Sequence, residues 1–588
     1  MLIPSLQTRL RTAVAAVLPD ADLSRVLVRP CSNTSHGDYE TTSLMGLAKE
    51  RKLNPRQVAT DVQAKLEVSD LCDAVQISGG GFLNFRIRPG ALGRVVADAA
   101  RGKHLFIDPA TSPRTVVIDF SSPNVAKPLH VGHIRSTFLG DCLARVFRAL
   151  GHTVVTDNHI GDWGTQFGML LIGWKEHLDP AALAADPIAE MERLYKLVNA
   201  RCQETPTVRD QARAELVKLQ AGDPENLGIW KDMQRLSQVQ FDRVYSRLGV
   251  VFDVTLGESF YNPELPGVVR DLEAAGIARL SEGALAVFSD GTLPQKEDPF
   301  LIQKDGEWQA NPYLVRKSDG GFNYASTDLA TLEYRLKTWN PAEILYVTGG
   351  PQQLHFRQLF HTYRRWRPNA PVRLEHVWFG SILGEDGKPF KTRSGETVKL
   401  TELLDEAEER ALKTVVEKNP TLTEAEQREI ARRIGIGAVK YADLLPNRQS
   451  DYGFSWDKIL ALTGNTAPYL QYAYTRTRSL QRKGGELPDL ATLPEELPLS
   501  APEELALARH LVNFGFTLEA VISDYRPNFL CNYLYELAGL FSRFWENCPV
   551  LKAEDPAVRA ARAALCDVAG RVLGQGLHLL GIETVDRM

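Results

Sequence analysis

The sequence predicts an α/β protein: a parallel-sheet core with insertions, an α+β N-terminal domain and an all-α C-terminal helical bundle. The core is indicated by residues 115–119 (TVVID), an apolar run typical of a buried parallel strand, followed by a helical pattern and a second run, HTVVTDN. Two more strand patterns, EILYVTG and VWFGSIL, occur only after an insertion of about 190 residues. From about residue 457 onward, apolar residues recur every three or four positions, as in a helical bundle.

Length and composition are those of a soluble protein with several domains. The 588 residues suggest three or four domains at about 150 residues each. With 44% hydrophobic and 24% charged residues, the chain is not disordered, collagen-like or a disulfide scaffold. A net charge of -5 argues against a protein that is basic throughout, so a nucleic acid would have to be held by local basic patches.

Cysteine usage and hydropathy indicate a cytoplasmic protein without a membrane span. The seven cysteines are scattered and none forms a C-x-x-C pair, so we expect neither a zinc site nor a fully paired secreted framework. Residues 1–20 carry Arg9 and Arg11 within an apolar pattern that is too short for a signal peptide. No segment approaches about 18 unbroken apolar residues.

The chain divides by pattern into four regions. Residues 1–105 form the N-terminal domain, with helical stretches and two strands around the glycines of AVQISGGGFLNFRI. The core spans residues 106–400, with a helical insertion at about 172–250 and a β-rich insertion at about 268–321. A helical connecting region follows at 401–455 and the bundle at 456–588, where the Pro-rich stretch KGGELPDLATLPEELPLSAPEE is predicted to be a surface loop.

The most informative stretch is DFSSPNVAKPLHVGHIRSTFLGD, residues 119–141, which leaves the first buried strand and begins a helix. A helix N-terminus offers unpaired N–H groups and favours phosphate. His130 and His133 are three apart and share a helical face, while Gly132 between them lets a ligand approach the backbone. Lys127 adds a mobile cation. The pattern predicts a site that stabilises phosphoryl transfer by charge and position, and the alternative is a pair of histidines that only cap or pack the helix.

HVGH resembles the HIGH motif of class I aminoacyl-tRNA synthetases, and residues 119–141 as a whole resemble the signature of the bacterial-type arginyl-tRNA synthetases. Five further segments match that family in order along nearly the whole chain: TDNHIGDWGTQFG, GGFNYASTDLA, QQLHFRQLF, GEDGKPFKTRSGETVKL and SDYGFSWDKILALTGNTAPYLQYAYTRTRS. The resemblance implies a Rossmann-like catalytic core that activates L-arginine with ATP to arginyl-adenylate. Transfer to the 3′-terminal adenosine of tRNA(Arg) would follow, with release of AMP and diphosphate. It further implies ATP with Mg2+ as the substrate complex, no tightly bound metal, and a monomer.

The resemblance assigns catalytic and ATP-binding roles to the loop and helix start. His130, His133 and Lys127 would bind the phosphates, and Gly132 would let the adenine pack close.

The second motif of the family, KMSKS, corresponds here to PFKTRSG, where Thr392 stands at the position of the important lysine. Lys391 and Arg393 flank it as ATP-binding candidates. Many arginyl enzymes lack that lysine and use the one three residues after the SSPN asparagine, which is Lys127 in this chain. Which of these residues replaces the missing lysine stays open at the level of sequence.

Selection of arginine has a clear physical demand, because a planar guanidinium with five donors needs carboxylates or carbonyls placed for bidentate contact. The resemblance implies that the substrate is bound by two carboxylates, an aromatic ring and two amides. They are Asp119, Asp328, Tyr324, Asn124 and Gln352, with Gln353 as the alternative to Gln352. Tyr324 and Asp328 are four apart and would share a face at a helix start. Without the resemblance, charge complementation at a helix N-terminus would be the preferred role of Asp328. The dense motif DWGTQ (162–166) fits a pocket lining or a packed turn equally well.

Two RNA-binding surfaces are predicted. Tyr469, Tyr472 and Arg476 lie at helical spacing, and aromatic faces with arginines suit a single-stranded loop. By resemblance this bundle binds the anticodon. In the N-terminal domain, Phe82 and Asn84 match an aromatic-x-Asn pair that recognises the tRNA D-loop. Alternatively, the tyrosines belong to the core of the bundle, and Phe82 and Asn84 are ordinary strand residues beside a glycine turn.

Two other functions compete with the ligase. A nucleotidylyltransferase could use H-x-G-H on a small acceptor, but such enzymes are usually much shorter and need no C-terminal bundle. A non-catalytic tRNA-binding relative is favoured only by Thr392, while the intact His130, His133 and Lys127 count against it.

Overall fold

The computed structural model describes residues 2–31, 33–388, 390, 398–482 and 489–587. It confirms the predicted fold class, with a parallel-sheet core between an α+β domain and a helical bundle. Lys391, Thr392 and Arg393 lie outside the described residues.

The N-terminal region packs four helices on an antiparallel sheet of order β1-β2-β4-β3. Its elements are α1 (Leu2–Val17), β1 (Arg29–Pro30), β2 (Tyr39–Thr41), α2 (Ser43–Glu50), α3 (Pro55–Lys65), β3 (Cys72–Ser78), β4 (Phe82–Ile87) and α4 (Pro89–Ala100). The turn between β3 and β4 needs glycine, because Gly81 has φ +118 and a Cβ there would lie 2.7 Å from the Pro55 carbonyl oxygen.

The core is a five-stranded, wholly parallel sheet of order β14-β13-β5-β6-β7 with its helices alongside. Its elements are β5 (Thr115–Asp119), α5 (Ile134–Ala149), β6 (Thr153–Asn158), β7 (Val254–Thr255), α12 (Tyr324–Trp339), β13 (Glu343–Tyr346), α13 (Gln353–Trp366) and β14 (Arg373–His376). The chain runs from β5 to one side of the sheet and from β13 to the other. A topological switch point therefore lies between these two strands, at the edge where such sheets bind ligands.

One core strand differs from its prediction. The apolar run VWFGSIL was predicted to be the last core strand, but β14 is the preceding segment RLEH. At the sheet edge a strand has only one neighbour, and a polar segment is tolerated there.

Two insertions interrupt the core. The first is helical: α6 (Gln166–His177), α7 (Pro180–Ala185), α8 (Pro187–Glu204), α9 (Pro206–Gln220) and α10 (Pro224–Leu248). The second is β-rich: α11 (Leu265–Ala274), β8 (Ala278–Ser281), β9 (Ala284–Val287), β10 (Leu301–Lys304), β11 (Glu307–Ala310) and β12 (Tyr313–Arg316). Strands β12, β9 and β8 form one antiparallel sheet, and β10 pairs with β11 as a hairpin.

The remaining elements are mostly helices. They are β15 (Ile382–Leu383), α14 (Leu400–Lys418), α15 (Glu424–Leu444), β16 (Tyr452–Gly453), α16 (Trp456–Ile459), α17 (Ala467–Arg482), α18 (Pro502–Leu511), α19 (Phe514–Asp524), α20 (Asn528–Asn547) and α21 (Pro556–Leu579). Among the described residues, one stretch, Pro502–Asp524, is long and apolar enough to cross a membrane by composition. It is divided between α18 and α19, and half of its most apolar window is buried.

Residues 489–501 of the Pro-rich stretch form a largely exposed loop between α17 and α18, as the composition predicts, but the loop also packs on the N-terminal domain. Leu497 is buried, and Gly93 of α4 lies so close that a Cβ there would be 2.3 Å from the Leu497 carbonyl oxygen. Arg101, directly after α4, donates hydrogen bonds to the carbonyl oxygens of Leu493 and Pro494. Because three leucines of the stretch are buried, it is a strap that holds the N-terminal domain on the bundle.

Candidate active site and RNA-binding surfaces

The predicted site residues are gathered at the carboxyl edge of the parallel sheet. Strand pairing places Asp119 beside Asp157 on one side and beside Tyr346 on the other, in a single row at the strand ends. This row lies at the switch point between β5 and β13. Side chains that follow different strands therefore meet there.

A buried guanidinium neutralises the row. Arg335 of α12 is fully buried and donates to Asp119 Oδ2 at 2.6 Å and to Asp157 Oδ2 at 2.8 Å. Burial by itself would lower the pKa of Arg335, but the two facing carboxylates outweigh it and raise that pKa. Asp119 also accepts a hydrogen bond from Ser122 Oγ at 2.9 Å. Asp119 was predicted to bind the arginine substrate. Its carboxylate is already paired with Arg335, an arginine of the chain itself.

The HVGH segment forms a short 3₁₀ turn before α5, with its histidines in one defined tautomer. The backbone N–H of His130 donates to His133 Nδ1, and the backbone N–H of Gly132 donates to His130 Nδ1, both at 3.1 Å. Since each Nδ1 accepts, the ring proton of a neutral histidine must be on Nε2. A Cβ on Gly132 would lie 2.8 Å from the His130 ring, so this position has room only for glycine.

Burial keeps both histidines uncharged at neutral pH. It lowers the pKa of His133 to about 3, with a smaller contribution from His130. Burial and then the Lys127 ammonium lower the pKa of His130. Two neutral imidazoles with Nε2–H groups can donate hydrogen bonds to an anionic ligand.

The chain just after the predicted KMSKS counterpart lies against HVGH. His130 forms an antiparallel bridge with Lys399, the Val131 N–H donates to the Val398 carbonyl, and the Leu400 N–H donates to the Leu129 carbonyl. Residues 398–400 therefore lie directly against the histidine turn.

Asn124 and Gly161 lie together across the edge of the sheet. They form a parallel bridge, and a Cβ on Gly161 would lie 2.1 Å from Asn124 Oδ1. The glycine therefore makes space for the amide of Asn124, an exposed residue of the otherwise largely buried loop after β5.

Tyr324 and Asp328 share a face at the start of α12, as their spacing predicts. Both contact His355 of α13: its Nε2 lies 2.6 Å from Asp328 Oδ2, and its ring meets the Tyr324 ring edge-on at 5.6 Å. Tyr324 is 67% exposed, whereas the Asp328 side chain is 19% exposed. Gln352 is exposed at the turn before α13, and Gln353 is half-buried with its amide near Gly350, so the choice between them stays open.

Glu258 is a candidate site residue that no pattern in the sequence indicates. Burial, followed by the nearby carboxyls of Asp328 and Asp162, raises the pKa of Glu258 to about 8. Its carboxyl is therefore protonated at neutral pH. A cation entering beside Asp328 would ionise it. The GES triplet (257–259) carries no helix or strand pattern that would have identified it.

Asp162 supports the turn that carries Glu258. Its carboxylate accepts hydrogen bonds from the Ser259 N–H at 2.8 Å and Ser259 Oγ at 2.6 Å, and Gln234 of α10 donates to it as well. Burial raises the pKa of Asp162. The DWGTQ motif is thus a packed turn at this residue.

The predicted tyrosine surface lies on α17. Tyr472 is 43% exposed and has the Arg476 guanidinium 5.3 Å from its ring centroid. Tyr469 packs at 5.6 Å against Tyr535 of α20, which is also exposed and which the sequence analysis did not identify. Three tyrosines and an arginine thus lie on one side of the bundle.

The two predicted residues of the N-terminal sheet differ in exposure. Phe82 is half-buried, but Asn84 is only 3% exposed and its amide donates to Ser78 Oγ at 2.6 Å. The Asn84 side chain is therefore engaged inside the sheet in the free protein.

Comparison with known protein families accounts for nearly the whole chain. Three family models match it in succession: "Arginyl tRNA synthetase N terminal domain" at residues 4–87, "tRNA synthetases class I (R), catalytic domain" at 97–456, and "DALR anticodon binding domain" at 470–588.

Individual proteins agree with the family models. An arginine–tRNA ligase of Cellvibrio japonicus is 43% identical over 99% of both chains, and one of Thermosynechococcus vestitus is 44% identical over 100% of this chain and 99% of its own. Among solved structures, the arginyl-tRNA synthetase of Plasmodium falciparum superposes with a TM-score of 0.81 at 26% identity, covering 100% of this chain and 99% of that one. The Thermus thermophilus structure has the same TM-score at 23% identity, covers both chains fully and shows the shared fold.

Proposed function

This chain belongs to the arginyl-tRNA synthetase family, and from that membership we propose how its residues join L-arginine to tRNA(Arg). The activity is that of an arginine–tRNA ligase that uses ATP. The arginine carboxylate attacks the α-phosphorus of ATP, and diphosphate leaves. The 3′-terminal adenosine of the tRNA then attacks the carbonyl carbon of arginyl-adenylate, and AMP leaves.

The observation that best supports this assignment is the histidine turn at the carboxyl edge of the sheet. His130 and His133 donate Nε2–H hydrogen bonds to the phosphates of ATP, which enters as its Mg2+ complex. Gly132 leaves the adenine free to pack against the backbone. Lys127 supplies the positive charge that Thr392 lacks, with Lys391 and Arg393 as the alternative cations. The site accelerates the reaction by position and charge, since the phosphoryl transfer itself needs little covalent help.

Arginine is recognised by the carboxyls gathered around Asp328. Asp328 and Glu258 accept hydrogen bonds from the guanidinium. Asp119 adds a third negative charge, because a carboxylate paired with Arg335 still has free lone pairs. The exposed ring of Tyr324 covers the guanidinium plane. Asn124 and Gln352 bind the ammonium and carboxylate of the substrate, with Gln353 as the alternative to Gln352.

The RNA is held at both ends of the chain. The anticodon loop stacks its bases on Tyr469 and Tyr472, and Arg476 pairs with its phosphates. The match of the bundle to an anticodon-binding family model supports this role. Phe82 and Asn84 meet the D-loop, which requires that the Asn84 amide leave Ser78. The ligase works as a cytoplasmic monomer, since one chain carries the catalytic site and both RNA surfaces.

The activity is tested by diphosphate–ATP exchange. We expect exchange that depends on arginine and requires tRNA, with lysine in place of arginine as the substrate control. A folded protein that shows no exchange with or without tRNA would contradict the catalytic assignment. Exchange that ignores arginine would instead indicate a nucleotidylyltransferase.

The raised pKa of Glu258 predicts a pH dependence of arginine binding. As the pH rises through about 8, the Glu258 carboxyl ionises and gains attraction for the guanidinium, so the KM for arginine falls. Glu258→Gln removes this titration and raises the KM at high pH by about tenfold, the worth of one charge-assisted hydrogen bond.

The measurement is the KM for arginine from about pH 6 to 9 in the wild type and the variant, whose difference cancels the titration of arginine itself. Glu273→Gln, an exposed change on α11, is the matched control and keeps the wild-type profile. If the KM for arginine depends on pH in the same way in the wild type and in Glu258→Gln, Glu258 does not contribute to arginine binding.

A further inference from the structure

The loop that carries Lys127 leaves the edge of the sheet and enters the core of the helical insertion just before the lysine. Val125 and Ala126 are buried in one apolar cluster with Phe167, Leu170 and Met191 of the insertion. The backbone N–H of Ala126 donates to Ser237 Oγ of α10 at 2.9 Å, and Ser237 is fully buried. Two residues before Lys127 are thus fixed to α6, α8 and α10.

The loop backbone needs this support. Ser121, Ser122 and Ala126 have φ values of 71°, 47° and 63°, in the left-handed region that residues with a side chain seldom adopt. Such conformations are energetically costly and persist only where the surroundings enforce them. The helical insertion supplies these surroundings at Ala126.

The Lys127 side chain is held by the same insertion. Its Nζ lies 5.6 Å from the ring centroid of Tyr195, a half-buried residue of α8. Among the residues that the structure describes, no carboxylate lies within ion-pair distance of this ammonium. The ring face is therefore its main fixed electrostatic partner, while its charge reaches far enough to act on His130.

We propose that Tyr195 is a positioning residue for Lys127, which places the ammonium for the ATP phosphates from the helical insertion. The proposal rests on the role of Lys127 in the proposed function. The backbone just before Lys127 and the Lys127 ammonium both contact the helical insertion. The insertion therefore determines the position of the charge that replaces the missing KMSKS lysine. In this role Tyr195 acts through Lys127 alone.

A double-mutant cycle tests this. Tyr195→Phe keeps the ring face, whereas Tyr195→Leu and Tyr195→Met fill the space without it. In tRNA-dependent exchange by the full chain, we expect Tyr195→Leu and Tyr195→Met to lower kcat/KM for ATP about five- to tenfold, as loss of a cation–π contact predicts. Tyr195→Phe stays within about twofold of the wild type, and the KM for arginine is unchanged in all three. Leu197→Ala, an exposed change on α8, is the control.

The decisive comparison is with Lys127→Ala. If Tyr195 acts through Lys127, adding Tyr195→Leu or Tyr195→Met to Lys127→Ala has no further effect. Equal losses in both backgrounds, or a loss in Tyr195→Phe as large as in Tyr195→Leu, would overturn the positioning role and leave the function of Lys127 intact. Near-normal exchange by Lys127→Ala alone would refute the role of Lys127, and the inference with it.

Discussion

Arg335→Met is expected to destabilise the catalytic core by about 3–5 kcal/mol, because it leaves two buried carboxylates facing each other without their shared cation. Asp119 and Asp157 are both under 6% exposed and occupy adjacent positions on β5 and β6. Burial already raises the pKa of Asp157 even with Arg335 present. The measurement is the thermal unfolding temperature of the full chain, which should fall by on the order of 10 °C.

The control separates burial from ion pairing as such. Arg235 pairs with Asp232 at 3.1 Å on the surface of α10, with side chains 65% and 54% exposed. Arg235→Met should therefore change stability by less than about 1 kcal/mol. Adding Asp157→Asn to Arg335→Met should restore part of the loss, since it removes one of the uncompensated charges. If Arg335→Met melts like the wild type, the buried triad does not stabilise the core.

Asp328→Ala is expected to raise the KM for arginine about 100-fold, because it removes the half-buried carboxylate that we propose pairs with the substrate guanidinium. The KM for ATP should change little, since the phosphate ligands that we propose are His130, His133 and Lys127, which follow β5, and not Asp328. Discrimination against citrulline, in which a neutral urea replaces the guanidinium, should fall in parallel. Steady-state aminoacylation with both amino acids measures these effects.

Two controls accompany this variant. Asp305→Asn changes an exposed carboxylate at the tip of the β10–β11 hairpin and should leave both KM values unchanged. His355→Ala removes the imidazole 2.6 Å from Asp328 and should affect the same KM to a smaller extent, since the carboxylate remains but loses its support. A wild-type KM for arginine in Asp328→Ala would exclude Asp328 from substrate recognition.

Local patterns predicted the elements whose residues contact near neighbours in the chain. The five-residue strand β5, the histidine turn and the shared face of Tyr324 and Asp328 all depend on periods of two, three or four residues, and these are visible in the printed chain. Segments that depend on distant partners were predicted less well. Strand β14 is a polar edge segment beside a more apolar run, and the loop at 489–501 was predicted as a loop but not as one with three buried leucines.

The sequence by itself determined the family, the reaction and the residue types available for it, because long motifs in order along the chain specify these without coordinates. Only the tertiary structure decided how those residues are charged and held. Asp119 meets Arg335 across 216 residues, Glu258 acquires its high pKa from burial beside Asp328, and Lys127 lies over a ring contributed by the helical insertion. Electrostatic environment depends on distance and solvent exclusion in space, and neither quantity can be derived from the order of residues along the chain.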